Sequence, residues 1–197
     1  MVRVIGLTGQ SGAGKSEVSA ILEKNGIVCI NCDAVSRDVT VKGAPALKAI
    51  CEVFGDDILR PDGSLDRKKL GSIVFSDKQR LELLNRTIFP FIIDEIKKII
   101  ADFGGDGVIV LDAPTLFESG CDKLCDEKIA VVADRKIRLE RIMARDSLSQ
   151  ADAENRINSQ LSEEFFKQNC DLIIQNNGDL SALEKAVEAL LKGWDTV

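Results

Sequence analysis

Gly9-Gln10-Ser11-Gly12-Ala13-Gly14-Lys15-Ser16 satisfies the spacing G-x-x-x-x-G-K-[ST], and each residue type in it suits one kind of ligand, a polyphosphate. Its glycines permit turns that a Cβ would block. The amides of Ser11, Gly12, Ala13, Gly14, Lys15 and Ser16 can therefore point inward at phosphate oxygens. A helix beginning near Lys15 adds the positive end of its dipole. The Lys15 ammonium can bridge β- and γ-phosphates, and the Ser16 hydroxyl can ligate Mg²⁺. The segment is read as a site for ATP and its magnesium ion.

Transfer of a phosphoryl group also needs a residue that orients or deprotonates the acceptor hydroxyl. Asp33 follows the second expected strand and Asp112 the third. In parallel α/β sheets ligands collect at the carboxyl ends of strands, so both carboxylates should reach the mouth of the loop. Asp33 is the candidate acceptor-facing base, or else the N-cap of the next helix. Asp112 is the candidate for holding Mg²⁺ through water and for contacting the acceptor, or else a loop cap. Glu118 is a weaker candidate at the same edge. The chain has no histidine, which removes Ser-His-Asp and Cys-His nucleophilic schemes.

Cations gather locally. Arg135, Lys136, Arg138, Arg141 and Arg145 crowd one expected helix, and Arg141 and Arg145, four apart, share a face. Closed over a nucleotide, such a face would stabilise developing charge on the transferring group; left open, it is a solvated basic surface. Arg37 lies four residues after Asp33 and could bind an acceptor phosphate. Arg67, Lys68 and Lys69 could hold further phosphates, or could mark an exposed helix start.

The elements that must position these groups alternate. Apolar runs at residues 2–7, 27–30, 108–111, 129–132 and 172–174 read as buried parallel strands. Helical spacing covers residues 15–24, a short helix from Asp66, a helix capped by Ser76, one running to residue 100, then 135–145 and 179–191. Pro90 should fall at a helix boundary or in a first turn. Ser149, with Asp152 three residues on, approximates a capping box. The opening β-loop-α-β unit places the chain in the α/β class: one domain, three layers, a five-stranded parallel sheet. Two stretches interrupt the alternation, at about 40–103 and 140–165, leaving a core of 1–39 and 104–197.

Composition narrows the functions further. The 197 residues are 45% hydrophobic, enough for a sizeable core, and carry a net charge of −6. An acidic chain is poorly suited to non-specific nucleic-acid binding. No apolar stretch approaches the roughly 20 residues a membrane helix needs. The first residues turn glycine-rich too early for a signal peptide, so a cytoplasmic location is expected. The six cysteines include Cys29-x-x-Cys32 and the pair Cys121 and Cys125. With no histidines beside them they read as reduced core thiols rather than a metal or redox site.

Several segments together resemble the dephospho-coenzyme A kinase family of P-loop proteins. Ile30-Asn31-Cys32-Asp33-Ala34-Val35-Ser36-Arg37 is similar to that family's run after the second strand. Gly63-Ser64-Leu65-Asp66-Arg67-Lys68-Lys69-Leu70 with Val74-Phe75 resembles its coenzyme-binding insertion. Leu111-Asp112-Ala113-Pro114-Thr115-Leu116-Phe117-Glu118 resembles its third-strand motif. Arg141, Arg145 and Asp146 match its lid, and Asp171-Leu172-Ile173-Ile174-Gln175-Asn176-Asn177-Gly178 its last strand and turn.

The resemblance implies transfer of the ATP γ-phosphoryl group to the 3′-hydroxyl of the dephospho-coenzyme A ribose, giving coenzyme A and ADP. It implies Asp33 as base, Lys15 and Arg141 as charge stabilisers, Arg145 among the ATP contacts and Asn177 near the adenine. By analogy with nucleotide kinases, residues 40–103 would bind the acceptor and 140–165 would form a lid. Asn31, Phe89 and Thr115 depart from the pattern: an aspartate, a histidine and a leucine are usual there. The alternative is another P-loop small-molecule or nucleotide kinase. A nucleotide-dependent switch is a third reading, although the Asn-Lys-x-Asp expected of a GTPase is absent.

Overall fold

Apolar runs of four to eight residues feeding amphipathic helices bury their surface only if strands lie side by side with helices on both faces. The structure, a computed structural model, adopts that arrangement and describes residues 2–194; positions 1 and 195–197, the ends of the expected core, lie outside the described residues. The strands are β1 (Val2–Gly9), β2 (Val28–Asn31), β3 (Gly107–Asp112), β4 (Glu127–Val132) and β5 (Leu172–Gln175). They form one sheet in the order β2-β3-β1-β4-β5, and every pairing is parallel. The expected fold class is the one observed.

Alternate side chains divide between the two faces, as the period of two requires. Val4, Ile30, Ile109 and Leu111 point to one side. There they meet α2 (Cys32–Asp38), α3 (Pro45–Phe54), α4 (Arg67–Val74) and α5 (Lys78–Asp102). Ile5, Leu7, Val110, Ile129 and Val131 point to the other, against α1 (Lys15–Lys24) and α10 (Leu180–Trp194). Three further helices complete the chain between β4 and β5: α7 (Arg135–Asp146), α8 (Gln150–Asn158) and α9 (Glu163–Asn169). A single turn, α6 (Leu116–Ser119), follows β3. Neither α6 nor α9 was expected from periodicity, since four and seven residues are too short to show a helical repeat.

Two local expectations are corrected. Asp77, not Ser76, caps α5: its carboxylate accepts from the Gln79 and Arg80 amides, while the Ser76 hydroxyl donates back to Ser72 and Ile73 carbonyls at the end of α4. Pro90 is no boundary. It lies inside the 25-residue α5. A mid-helix proline costs roughly 3 kcal/mol. Against that, Ile88, Ile92 and Ile96 are buried on the helix's inner face, each contributing roughly 1.5–3 kcal/mol. Packing therefore exceeds the proline penalty. Phe89 packs half-buried against the same core, so its departure from the family pattern is filled by an apolar contact.

All six cysteines are free thiols, and Cys32 and Cys121 are buried. Burial pushes the Cys29 and Cys125 thiols up to about 12, and Cys32 beyond that. Folded thiols keep protons that the unfolded chain begins to release near 9. Their contribution is thus fully present at neutral pH and is lost as pH rises toward their folded values. We expect denaturant stability to fall above about pH 9. We also expect iodoacetamide at pH 8 to leave Cys32 and Cys121 intact in the native chain while modifying both after unfolding. Mass spectrometry reads the result; equal native and unfolded labelling of Cys32 would contradict the buried placement.

Candidate active site

The register of the sheet brings the chemistry together. Leu7 of β1 and Asn31 of β2 both lie opposite Asp112 of β3, so β2 and β3 end level and β1 runs two residues further, to Gly9. The glycine loop leaves β1 there and α1 begins behind it. Gly14 is the N-cap of α1 in the left-handed region (φ 98°); a Cβ at that position would stand 2.3 Å from Asn176 Nδ2. Gly12 is also left-handed (φ 77°), and its missing Cβ would meet the Arg138 carbonyl at 2.8 Å. Only glycine fits either place. The first-turn amides at Lys15, Ser16 and Glu17 precede the first helical bond, which runs from the Val18 amide to the Gly14 carbonyl.

A cavity of about 870 Å³ opens over this junction. Ser11, Gly12, Gly14, Lys15 and Ser16 line it from the loop, Asp112 from the end of β3, Asp33 from the first turn of α2, and Arg141 and Arg145 from α7. Ala13 is fully buried beneath. The Lys15 ammonium is ion-paired with Asp112 Oδ1, and the Ser19 hydroxyl donates to Asp112 Oδ2 at 2.7 Å. Asp112 points toward α1 because position 112 falls on the same sheet face as Val110. Ser19, buried one turn after Lys15, is a site residue that sequence reasoning missed; its spacing from Lys15 was the available signal.

Asp33 stands exposed in the first turn of α2, and among the described residues no hydrogen bond or ion pair engages its carboxylate. The capping role that competed for Asp33 belongs to Asn31, whose Oδ1 accepts from the Ala34 amide at 2.9 Å. An asparagine caps as well as an aspartate, which accounts for the departure at that position. The helix end is satisfied and Asp33 is left available.

Not every expected residue reaches the cavity. Arg37 and Arg67 lie outside its lining and beside each other. One Arg67 amino group donates to the Arg37 carbonyl at 3.1 Å and to Thr40 Oγ1 at 2.7 Å. Burial, then the neighbouring Arg37 charge, lowers the Arg67 pKa. Asn177 lies outside the lining: its Oδ1 accepts from the Asp134 amide at 2.8 Å, and the neighbouring Asn176 lines the cavity with Gly178, Asp179, Leu180 and Leu183. One residue of offset at the end of β5 reverses the facing. Glu118 also lies outside the lining, its carboxyl raised by partial burial.

Two loop amides are otherwise engaged. The Ser11 amide donates to Gln160 Oε1 at 3.0 Å, and the Ala13 amide closes a turn onto the Gln10 carbonyl at 3.0 Å. The expectation that every amide from Ser11 to Ser16 faces phosphate is therefore narrowed to Gly12, Gly14, Lys15 and Ser16. On α7, Arg145 makes a double contact with Asp146 at 2.8 Å; Asp146 also pairs with Arg156. The Arg145 hydrogen bonds, with Arg156 behind them, hold the Asp146 carboxyl well below the usual range.

A glycine loop ending in Lys-Ser over the central strand of a parallel five-stranded sheet, with carboxylates at the neighbouring strand ends, defines a P-loop kinase. A model of the dephospho-CoA kinase family matches residues 3–182. A dephospho-CoA kinase of Fusobacterium nucleatum is 41% identical, covering 95% of this chain and 96% of that protein. One of Bacillus cereus is 38% identical, covering all of both chains. A crystal structure from Thermus thermophilus superposes with a TM-score of 0.82 at 29% identity, covering 97% of each chain. The chain belongs to the dephospho-CoA kinase family, and is thus a kinase that takes phosphate from ATP. Among the described residues no helix is long and apolar enough to cross a membrane.

Proposed function

We propose that this chain transfers the γ-phosphoryl group of ATP to the 3′-hydroxyl of the dephospho-coenzyme A ribose, with Asp33 as the base and Lys15 and Arg141 stabilising charge. One observation supports those roles above others: Asp33, a carboxylate with no partner among the described residues, shares a cavity with a glycine cradle whose lysine is already aimed at the strand-end aspartate. ATP enters with its triphosphate on the amides of Gly12, Gly14, Lys15 and Ser16. Lys15 leaves Asp112 for the β- and γ-phosphates. Arg141 and Arg145 approach from α7. The adenine lies toward Asn176 and Leu183. Asp33 accepts the proton of the acceptor hydroxyl as that oxygen meets the γ-phosphorus.

Magnesium fits the same donors. The cavity offers hard oxygens from Ser16 and Asp112, and neither thiol nor imidazole lines it. Among the described residues no three His, Cys, Asp or Glu side chains gather to cage a metal. When bound, the ion neutralises phosphate charge. Ser19 stays on Asp112 Oδ2 when Lys15 moves to the phosphates, and Asp112 would hold the ion through water. Residues 40–103 are proposed as the acceptor-binding insertion, with Arg37 and Arg67 on the diphosphate of the acceptor. Residues 140–165 are proposed as the lid.

Turnover tests the reading. With ATP and Mg²⁺, ADP release is expected with dephospho-coenzyme A and at background level with AMP, GMP or shikimate, and the product should carry its new phosphate at the ribose 3′ position by NMR. Comparable turnover with AMP or shikimate would move the assignment to another small-molecule kinase. Slow hydrolysis independent of acceptor would move it to a switch.

A further inference from the structure

Three consecutive carbonyls of the glycine loop are tethered by side chains. Arg138 Nε donates to the Ser11 carbonyl at 3.0 Å, Arg141 to the Gly12 carbonyl at 3.3 Å, and Asn176 Nδ2 to the Ala13 carbonyl at 2.8 Å. In a trans peptide the carbonyl and the following N–H point in opposite directions. Pulling the Ser11 and Ala13 carbonyls toward α7 and β5 therefore turns the Gly12 and Gly14 amides the other way. Those two amides have no hydrogen-bond partner among the described residues. Flipped, the same peptides would present carbonyl oxygens, carrying partial negative charge, to a triphosphate. The loop's glycines make such a flip sterically open, so the side chains must prevent it.

Burial singles out two of the tethers. Arg138 and Asn176 are 4% and 6% exposed. A buried guanidinium is costly unless hydrogen-bonded, and here the partners are the loop itself and Gln160. Gln160, in the linker between α8 and α9, accepts from Arg138 at 3.0 Å and from the Ser11 amide at 3.0 Å, and gives its own Nε2 to Ser11 Oγ at 3.0 Å. Segments remote in sequence thus converge on one loop.

We propose that Arg138 and Asn176, with Gln160 bracing Arg138, are positioning residues of the phosphate cradle, holding the Ser11 and Ala13 carbonyls outward so that the next amides face the nucleotide's phosphates. Arg138 lies outside the cavity lining, and in this role it and the Asn176 side-chain amide act through the backbone carbonyls they hold. The inference rests on the reading that the cavity takes ATP. If the unaltered chain bound no ADP, that reading would fail before any variant was made.

The measurement is calorimetric titration with ADP, set beside adenosine binding followed by saturation-transfer NMR. In Arg138→Met the ADP dissociation constant should rise about tenfold or more, the loss expected for a charge-assisted hydrogen bond, while that of adenosine stays within about twofold. Arg138→Lys should fall between, because an ammonium cannot span both partners of the guanidinium fork. Unchanged ADP affinity in Arg138→Met, or parallel losses for ADP and adenosine, would overturn the proposal, since a general packing defect does not single out phosphates. Should Arg138→Met fail to fold, Gln160→Ala, at a half-buried position, takes its place. There ADP should weaken about threefold with adenosine unaffected, and the same two contrary results would overturn the proposal.

Discussion

Asp33→Asn is expected to lower kcat by roughly 10²–10⁴-fold, the range typical of a lost general base, while leaving ATP affinity and thermal stability near those of the unaltered chain. Each half of that expectation has its own structural reason. The rate falls because the amide cannot accept the acceptor's proton. Affinity for ATP holds because Asp33 stands on α2 and is no part of the glycine loop that holds the phosphates. Stability holds because the carboxylate is exposed and unengaged, and because the cap of α2 belongs to Asn31. ADP release with dephospho-coenzyme A, nucleotide titration and a melting curve read the three quantities. A kcat within about threefold of the unaltered chain would remove Asp33 from the role of base. A large loss of ATP affinity would assign it to the donor instead.

The groups at strand ends were legible in the sequence for a definite reason. Asp33 and Asp112 follow short apolar runs bounded by loops, and in a parallel sheet the ends of such runs can face only one crevice. The glycine loop was legible because three glycines, a lysine and a serine at fixed spacing leave few alternative uses. Arg138, Gln160 and Asn176 were not. Arg138 lies among several cations on one helix, and nothing local distinguishes the one that turns inward. It is buried because the loop from β1 passes beneath it, a contact 127 residues away in sequence. Asn176 and Asn177 are adjacent and chemically identical. Only the direction in which the chain leaves β5 decides that Asn176 meets the glycine loop and Asn177 caps the turn at Asp134. Pro90 misled for the opposite reason: a strong local signal was outweighed by the isoleucines packed on either side of it.

Lys15→Met carries the other large effect, and it separates catalysis from stability. Removing one preorganised cation from a developing phosphoryl charge typically costs about 10²–10³-fold in rate, so kcat/KM should fall by that much or more, with weaker ADP binding. The same substitution leaves Asp112, 7% exposed, without its cation. Unpairing a buried charge costs about 3–5 kcal/mol in the limit of full burial. The Ser19 hydroxyl remains on Oδ2 and the Lys15 side chain is 15% exposed, so a value at or below the lower bound is expected. Adding Asp112→Asn to Lys15→Met should then restore much of the melting temperature, because no unpaired carboxylate is left, and should restore no activity. The double-mutant cycle reads both quantities at once. If the melting temperature failed to recover, the ion pair would not be what Lys15 contributes to the folded state. If activity survived Lys15→Met, the cradle would not be the place where the triphosphate is held.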